Sequence, residues 1–151
     1  MLCTTPRGRA QIVETFGDPD DPDFERTSIS VFDLPYPLRY SGTGKVVARS
    51  RAHRLLVPTF VRVLRAIAEA GLAGNAADYA GIYCRRPVRR GRKPSTHSWG
   101  IAIDLNPGTN RLGTIGDMIP EVVALFRREG FVWGGDFRTP DPMHFQFASG
   151  Y

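Results

Sequence analysis

Histidine and cysteine are both scarce in this chain, and each scarcity narrows the field. Only Cys3 and Cys84 are present. Two cysteines make no disulfide framework, and neither lies in a Cys-x-x-Cys pair that would build a thiolate zinc site. Both are expected as free thiols. No apolar run approaches the roughly 20 residues of a membrane-spanning helix. The N-terminal stretch MLCTTPRGRAQIVETFG lacks the apolar core of a secretory signal, so the expectation is synthesis in the cytoplasm without a recognisable signal peptide. Lysine is nearly missing too, so the formal net charge of +5 rests on arginine. That balance favours an anionic partner without naming it.

At 151 residues the chain is expected to form one domain over residues 1–151. Residues 1–48 read as irregular to extended. The segment GDPDDPDFE (17–25) packs five acids and two prolines into nine positions, which reads as an exposed turn rather than a calcium loop, because the ligand alternation and glycine of an EF-hand are missing. VFDLPYPLRY (31–40) reads as a short extended segment broken by prolines.

In PTFVRVLRAIAEA (58–70), Phe60, Val61, Leu64, Ile67 and Ala68 recur at helical spacing. Pro58 suits the first turn of that helix and Gly71 its end. A second helix is expected over 120–129, with Val122, Val123 and Phe126 inward. Strands are expected over 79–84, 100–105, 131–133 and 143–148. Irregular alternation of these elements implies α+β architecture with a small, mostly antiparallel sheet.

The densest chemistry lies in STHSWGIAIDLNP (95–107). His97 and Asp104 are seven positions apart, so on one plain strand they would point to opposite faces. They converge only if the chain turns between them, and Gly100 supplies the place. Beyond it Ile101, Ile103 and Leu105 alternate with Ala102 and Asp104. Near the C-terminus, in TPDPMHFQF (139–147), His144 shares a strand face with Gln146, opposite Phe145 and Phe147. Two histidines and one aspartate with a fourth position open are a plausible catalytic zinc set, although spacing alone is weak support for one.

These residues also carry a resemblance. Ser95, His97, Gly100, Ala102 and Asp104, as Ser-x-His-x-x-Gly-x-Ala-x-Asp, resemble the first zinc motif of the bacterial and phage D-alanyl-D-alanine carboxypeptidases and L-alanyl-D-glutamate endopeptidases that cut peptidoglycan stem peptides. Trp133-Gly134-Gly135-Asp136 followed by Asp141-Pro142-Met143-His144-Phe145 resembles the second, and YPLRY, AHRLLVP and GIYCRRP extend the likeness upstream. The resemblance implies a hedgehog/D,D-peptidase type of fold and one Zn²⁺ held by His97, Asp104 and His144. It implies Asp141 as the general base for the attacking water. It further implies an arginine at the carbonyl or a substrate carboxylate, for which CRRP offers Arg85 and Arg86, the alignment favouring Arg86. Ser95 is expected to hydrogen-bond substrate or orient the site.

The function so implied is hydrolysis within the peptidoglycan stem, first as an L-alanyl-D-glutamate endopeptidase. A D-alanyl-D-alanine carboxypeptidase or D,D-endopeptidase is second. A non-catalytic zinc-stabilised wall-binding module and a basic nucleic-acid-binding protein are the readings from other classes. The expected setting is the cell wall, reached as a phage lysin through a pore or by secretion, and the expected state is a monomer. His53 is read as structural, Trp133 as a core or pocket-floor aromatic, and Asp136 as a turn residue or a hydrogen-bond partner of a zinc histidine. The run RRPVRRGRK (85–93), six basic residues in nine, is read as general attraction to anionic wall polymers rather than specific nucleic-acid binding.

Overall fold

The computed structural model describes residues 4–89 and 91–151. Cys3 and Arg90, which the sequence reading touched, lie outside them. Cys84 is exposed and unpaired, as expected.

The chain opens with α1 (Gly8–Phe16), the turns of the acidic segment, and α2 (Phe24–Ser28). A long hairpin follows, β1 (Ile29–Tyr40) with β2 (Val46–His53), and then α3 (Val57–Glu69). Next come β3 (Asp78–Gly81), β4 (Ala102–Leu105), α4 (Pro120–Arg128), β5 (Val132–Trp133) and β6 (His144–Gln146). The six strands form one sheet in the order β2-β1-β3-β4-β6-β5.

The architecture is α+β, but the sheet is mixed rather than mostly antiparallel. β1 pairs with β3 in parallel, through Arg39 with Asp78 and Tyr40 with Tyr79. The physical reason is the length of the connection: β1 and β3 are joined through β2 and α3, long enough to bring β3 back alongside β1 in the same direction. α1 and α2 are helical where residues 1–48 were expected to be irregular to extended, while β1 and the start of β2 are extended. The prolines of β1 are tolerated because Pro35 and Pro37 fall in the register shift between Asp33 and Leu38, where β1 owes β2 no ladder bonds.

α3 buries Phe60, Val63, Leu64 and Ile67 against the sheet. Val63 is thus fully buried where the sequence pattern placed Val61, which is only partly covered. α4 buries Val122, Val123 and Phe126 as expected, and the Phe126 ring stacks on Phe145 at 4.1 Å. This core lies on one face of β4 and β6. The opposite face of those two strands carries the site. Among the described residues no helix is long and apolar enough to cross a membrane.

Candidate metal centre

β4 and β6 are the floor of the site. They pair antiparallel in the register Ala102–Gln146, Ile103–Phe145 and Asp104–His144. Directly opposed residues share a face, so Asp104 and His144 are side by side by construction. Ile103 and Phe145 turn to the core and are fully buried.

His97 arrives from a short 3₁₀ turn, Thr96–Trp99, whose preceding Ser95 Oγ accepts from the His97 backbone N–H at 3.3 Å. Gly100 then reverses the chain with φ +69°, and a Cβ there would stand 2.7 Å from the His53 backbone nitrogen. Both the conformation and the close approach demand glycine. The turn expected between His97 and Asp104 is therefore present, and one ligand atom from each of His97, Asp104 and His144 falls within 4.8 Å of the others.

The hydrogen bonds fix what those atoms are. His97 Nδ1 lies 2.7 Å from the Ile82 carbonyl, so it is the protonated nitrogen and Nε2 carries the lone pair. Nε2 is buried, has no hydrogen-bond partner, and stands 3.2 Å from Asp104 Oδ1. On the other ring, Gln146 donates its amide N–H to the Ala148 carbonyl, which turns its oxygen toward His144 Nε2 at 2.9 Å. Nε2–H donates there, leaving the lone pair on Nδ1, 2.8 Å from the same Asp104 Oδ1. Thr96 Oγ1 donates to the same Gln146 oxygen.

Two nitrogen lone pairs and a carboxylate oxygen thus converge in a buried space, an arrangement that repels itself unless a cation stands among them. The residues fit a divalent metal. A proton on a ring can supply that positive charge in place of an ion, and the titration of the groups follows from this. Burial drives the Asp104 carboxyl upward, yet the fields of His97 and His144 outweigh it and hold the group below the usual carboxylate range. His144 is pushed upward, because its contact with Asp104 overcomes the burial that opposes charge.

Asp141 reaches the same cavity from the loop before β6. Its backbone N–H donates to the Gly134 carbonyl at 2.8 Å and its own carbonyl accepts from His144 N–H at 3.0 Å. Trp133 Nε1 donates to the Pro142 carbonyl at 2.8 Å, tying the loop to β5. The Asp141 Oδ1 atom is buried without a partner, and burial pushes the carboxyl up despite the nearby His144. A desolvated carboxylate without a hydrogen-bond donor is prepared to take a proton.

The cavity measures about 190 Å³, and Arg86, Arg89, Ser95, Asp104, Asp141 and His144 are on its wall. Arg86 Nη2 lies 3.9 Å from Asp104 Oδ2. Its backbone is held at both ends by Ser98 Oγ, which accepts from Arg86 N–H at 3.0 Å and donates to its carbonyl at 2.8 Å. Arg85 does not line this cavity; it points to Asp20, at 3.4 Å.

The remaining sequence candidates fall outside the cavity. His53 is buried among Phe16 and Phe24. Asp136 pairs with Arg127 at the surface rather than with a site histidine. Sequence reasoning gave no role to Thr96, Ser98 or Gln146. The signal for Gln146 was its place two residues after His144 on one strand face; nothing in the local sequence marked Ser98.

Residues 89–147 match the family model described as D-alanyl-D-alanine carboxypeptidase. The matched segment contains His97, Asp104, Asp141 and His144, and this is the peptidase family that the two motifs resemble. No curated protein and no solved structure matches the chain.

Proposed function

We propose that the chain is a zinc peptidase that hydrolyses a peptide bond in the peptidoglycan stem, with a fold of the hedgehog/D,D-peptidase type. The observation that supports it most is the convergence of metal-ligating atoms from His97, Asp104 and His144, with Asp104, His144 and the partnerless carboxylate of Asp141 lining one cavity. His97 Nε2, His144 Nδ1 and an Asp104 oxygen would hold the ion. When bound, zinc would supply Lewis acidity, lowering the pKa of water and polarising the scissile carbonyl.

The chain's own groups do the rest. Asp141 accepts a proton from the attacking water and delivers it to the leaving amine. Arg86, fixed by Ser98, donates to the carbonyl oxygen as it gains negative charge. Ser95 uses an oxygen lone pair on the His97 N–H, which leaves its hydroxyl proton to donate to the substrate backbone. Gln146 holds the His144 ring through its Nε2–H, and the Ile82 carbonyl fixes that of His97.

An L-alanyl-D-glutamate endopeptidase is the first reading, supported by aspartate rather than glutamate at position 141, as in the endopeptidase branch the motifs resemble. A D-alanyl-D-alanine carboxypeptidase is the second, favoured by the description of the matching family. A non-catalytic zinc module has no use for a desolvated Asp141 facing the cavity. The test is digestion of purified peptidoglycan by zinc-loaded protein, with the new termini identified by mass spectrometry. New N-terminal D-glutamate supports the first reading and free D-alanine the second. If neither appears while zinc is bound at one per chain, the peptidase assignment fails.

A further inference from the structure

Residues 86–89 and 91–95 run antiparallel beside one another, and the pair has two sides. Ser95 N–H donates to the Arg86 carbonyl at 2.8 Å and Val88 N–H to the Lys93 carbonyl at 2.9 Å. One side walls the metal cavity. Against the other lies a second cleft of about 480 Å³, lined by Arg9, Asp20, Arg85, Arg86 and Arg92.

Two stretches far apart in sequence supply these arginines: the first turn of α1 gives Arg9, and the basic run 85–93 gives Arg85, Arg86 and Arg92. The fold therefore adds Arg9 to a cleft that the basic run otherwise lines. One carboxylate lines the cleft, Asp20, and it lies 3.4 Å from Arg85. Among the described residues Arg9 and Arg92 form no ion pair. The neighbouring acids are engaged elsewhere: Asp18 and Asp21 accept from the backbone N–H groups of Asp20 and Asp23, and Asp23 pairs with Arg26.

We infer that this cleft is a binding site for phosphodiester anions, separate from the metal centre. Several guanidinium groups around one cleft suit a tetrahedral phosphate, which accepts hydrogen bonds all round, better than a planar carboxylate. The occupant is a wall polymer with a phosphodiester backbone. That choice rests on the peptidase reading; the binding itself does not. Arg86 lines both cavities, so a polymer held here lies directly behind the wall that faces the stem peptide. The site would retain the protein on the wall while the cavity works on successive peptides.

The experiment titrates the intact protein with a synthetic glycerol-phosphate oligomer by calorimetry, at fixed salt, beside the double variants Arg9→Ser/Arg92→Ser and Arg9→Lys/Arg92→Lys. Both positions are exposed, and unchanged thermal midpoints will verify that the variants fold. The expected result is saturable one-to-one binding, weakened about tenfold or more in the serine variant and less in the lysine variant. Hydrolysis of a soluble stem peptide should stay the same. Absent binding, or equal affinity in the serine variant, overturns the site. Single-stranded DNA binding tenfold more tightly than the glycerol-phosphate chain would assign the cleft to nucleic acid and overturn the ligand. Failure of the peptidase reading would show separately, as no cleavage of the soluble peptide by the unaltered protein.

Discussion

His97 Nε2 faces Asp104 Oδ1 across 3.2 Å with no hydrogen to place between them, because the ring's proton is committed to the Ile82 carbonyl. Two buried acceptors so close are destabilising until a cation joins them. Metal should therefore stabilise the fold as well as enable chemistry. At zinc one hundred times its dissociation constant the gain is about 2.7 kcal/mol. For a chain of this size that corresponds to a thermal midpoint roughly 5–10 °C higher than in excess chelator. In His97→Ala the difference between zinc and chelator should vanish. A full shift retained in that variant would place the metal elsewhere.

Gln146 has no contact with a metal position, yet it selects which His144 nitrogen carries the lone pair. Gln146→Leu removes the acceptor at Nε2 and lets the ring choose the wrong tautomer. Zinc affinity should fall about 10–100-fold, the usual cost of losing such an outer partner. Thr96→Val, which removes a donor to the Gln146 oxygen and the longer 3.3 Å contact of Thr96 Oγ1 with His144 Nε2, should cost less. Competition with a fluorescent chelator measures both, and an unaltered dissociation constant for Gln146→Leu would refute the role.

The proposed metal ligands were legible because motif and strand alternation agree. β4 and β6 present Asp104 and His144 to the same face as their sequences imply, with Ile103 and Phe145 opposite. What the sequence hid has physical causes. α1 is anchored by Ile12 and Phe16 alone, so it shows no broad apolar stripe. β2 is an edge strand that buries only Ser50, Ala52 and His53, and its Val-Val-Ala-Arg-Ser-Arg-Ala-His pattern carries little signal of burial. The parallel β1–β3 pairing depends on where α3 crosses, which no local spacing encodes. Arg85 and Arg86 are adjacent in sequence, and only the fold sends one to Asp20 and the other to the metal cavity.

Gly134 is required by proximity. A Cβ there would come within 2.4 Å of the Asp141 carbonyl oxygen and 3.1 Å of His144 Cβ. Gly134→Ala should push the Asp141 loop outward and move the proposed base off its line to the attacking water. Displacements near 1 Å can cost about a hundredfold in turnover. The expected signature is kcat down by about that factor with KM changed far less, read with a soluble stem peptide. The opposite pattern, KM raised at constant kcat, would mean that the loop serves binding alone.

His53 makes stability depend on pH apart from the metal. Its ring is buried beside Phe16 and Phe24, Nε2–H donates to the Phe16 carbonyl at 3.0 Å, and Nδ1 accepts from Leu55 N–H at 3.3 Å. Burial pushes the ring down to about 4, against the opposing Phe16 hydrogen bond and with help from Arg54. In the unfolded chain the same group titrates near 6.5. Above pH 6.5 both states hold it neutral, and its contribution is constant. As pH falls from 6.5 to 4 the unfolded state takes the proton first, and the fold loses about 3 kcal/mol from this residue alone. His53→Gln can donate to the same carbonyl but does not titrate. Urea unfolding of both proteins across this range, in excess chelator so that zinc does not contribute, should show the variant's stability falling less steeply by that amount. Parallel curves would mean that His53 is protonated as readily in the folded protein as outside it, and that the core around Phe16 opens to admit water.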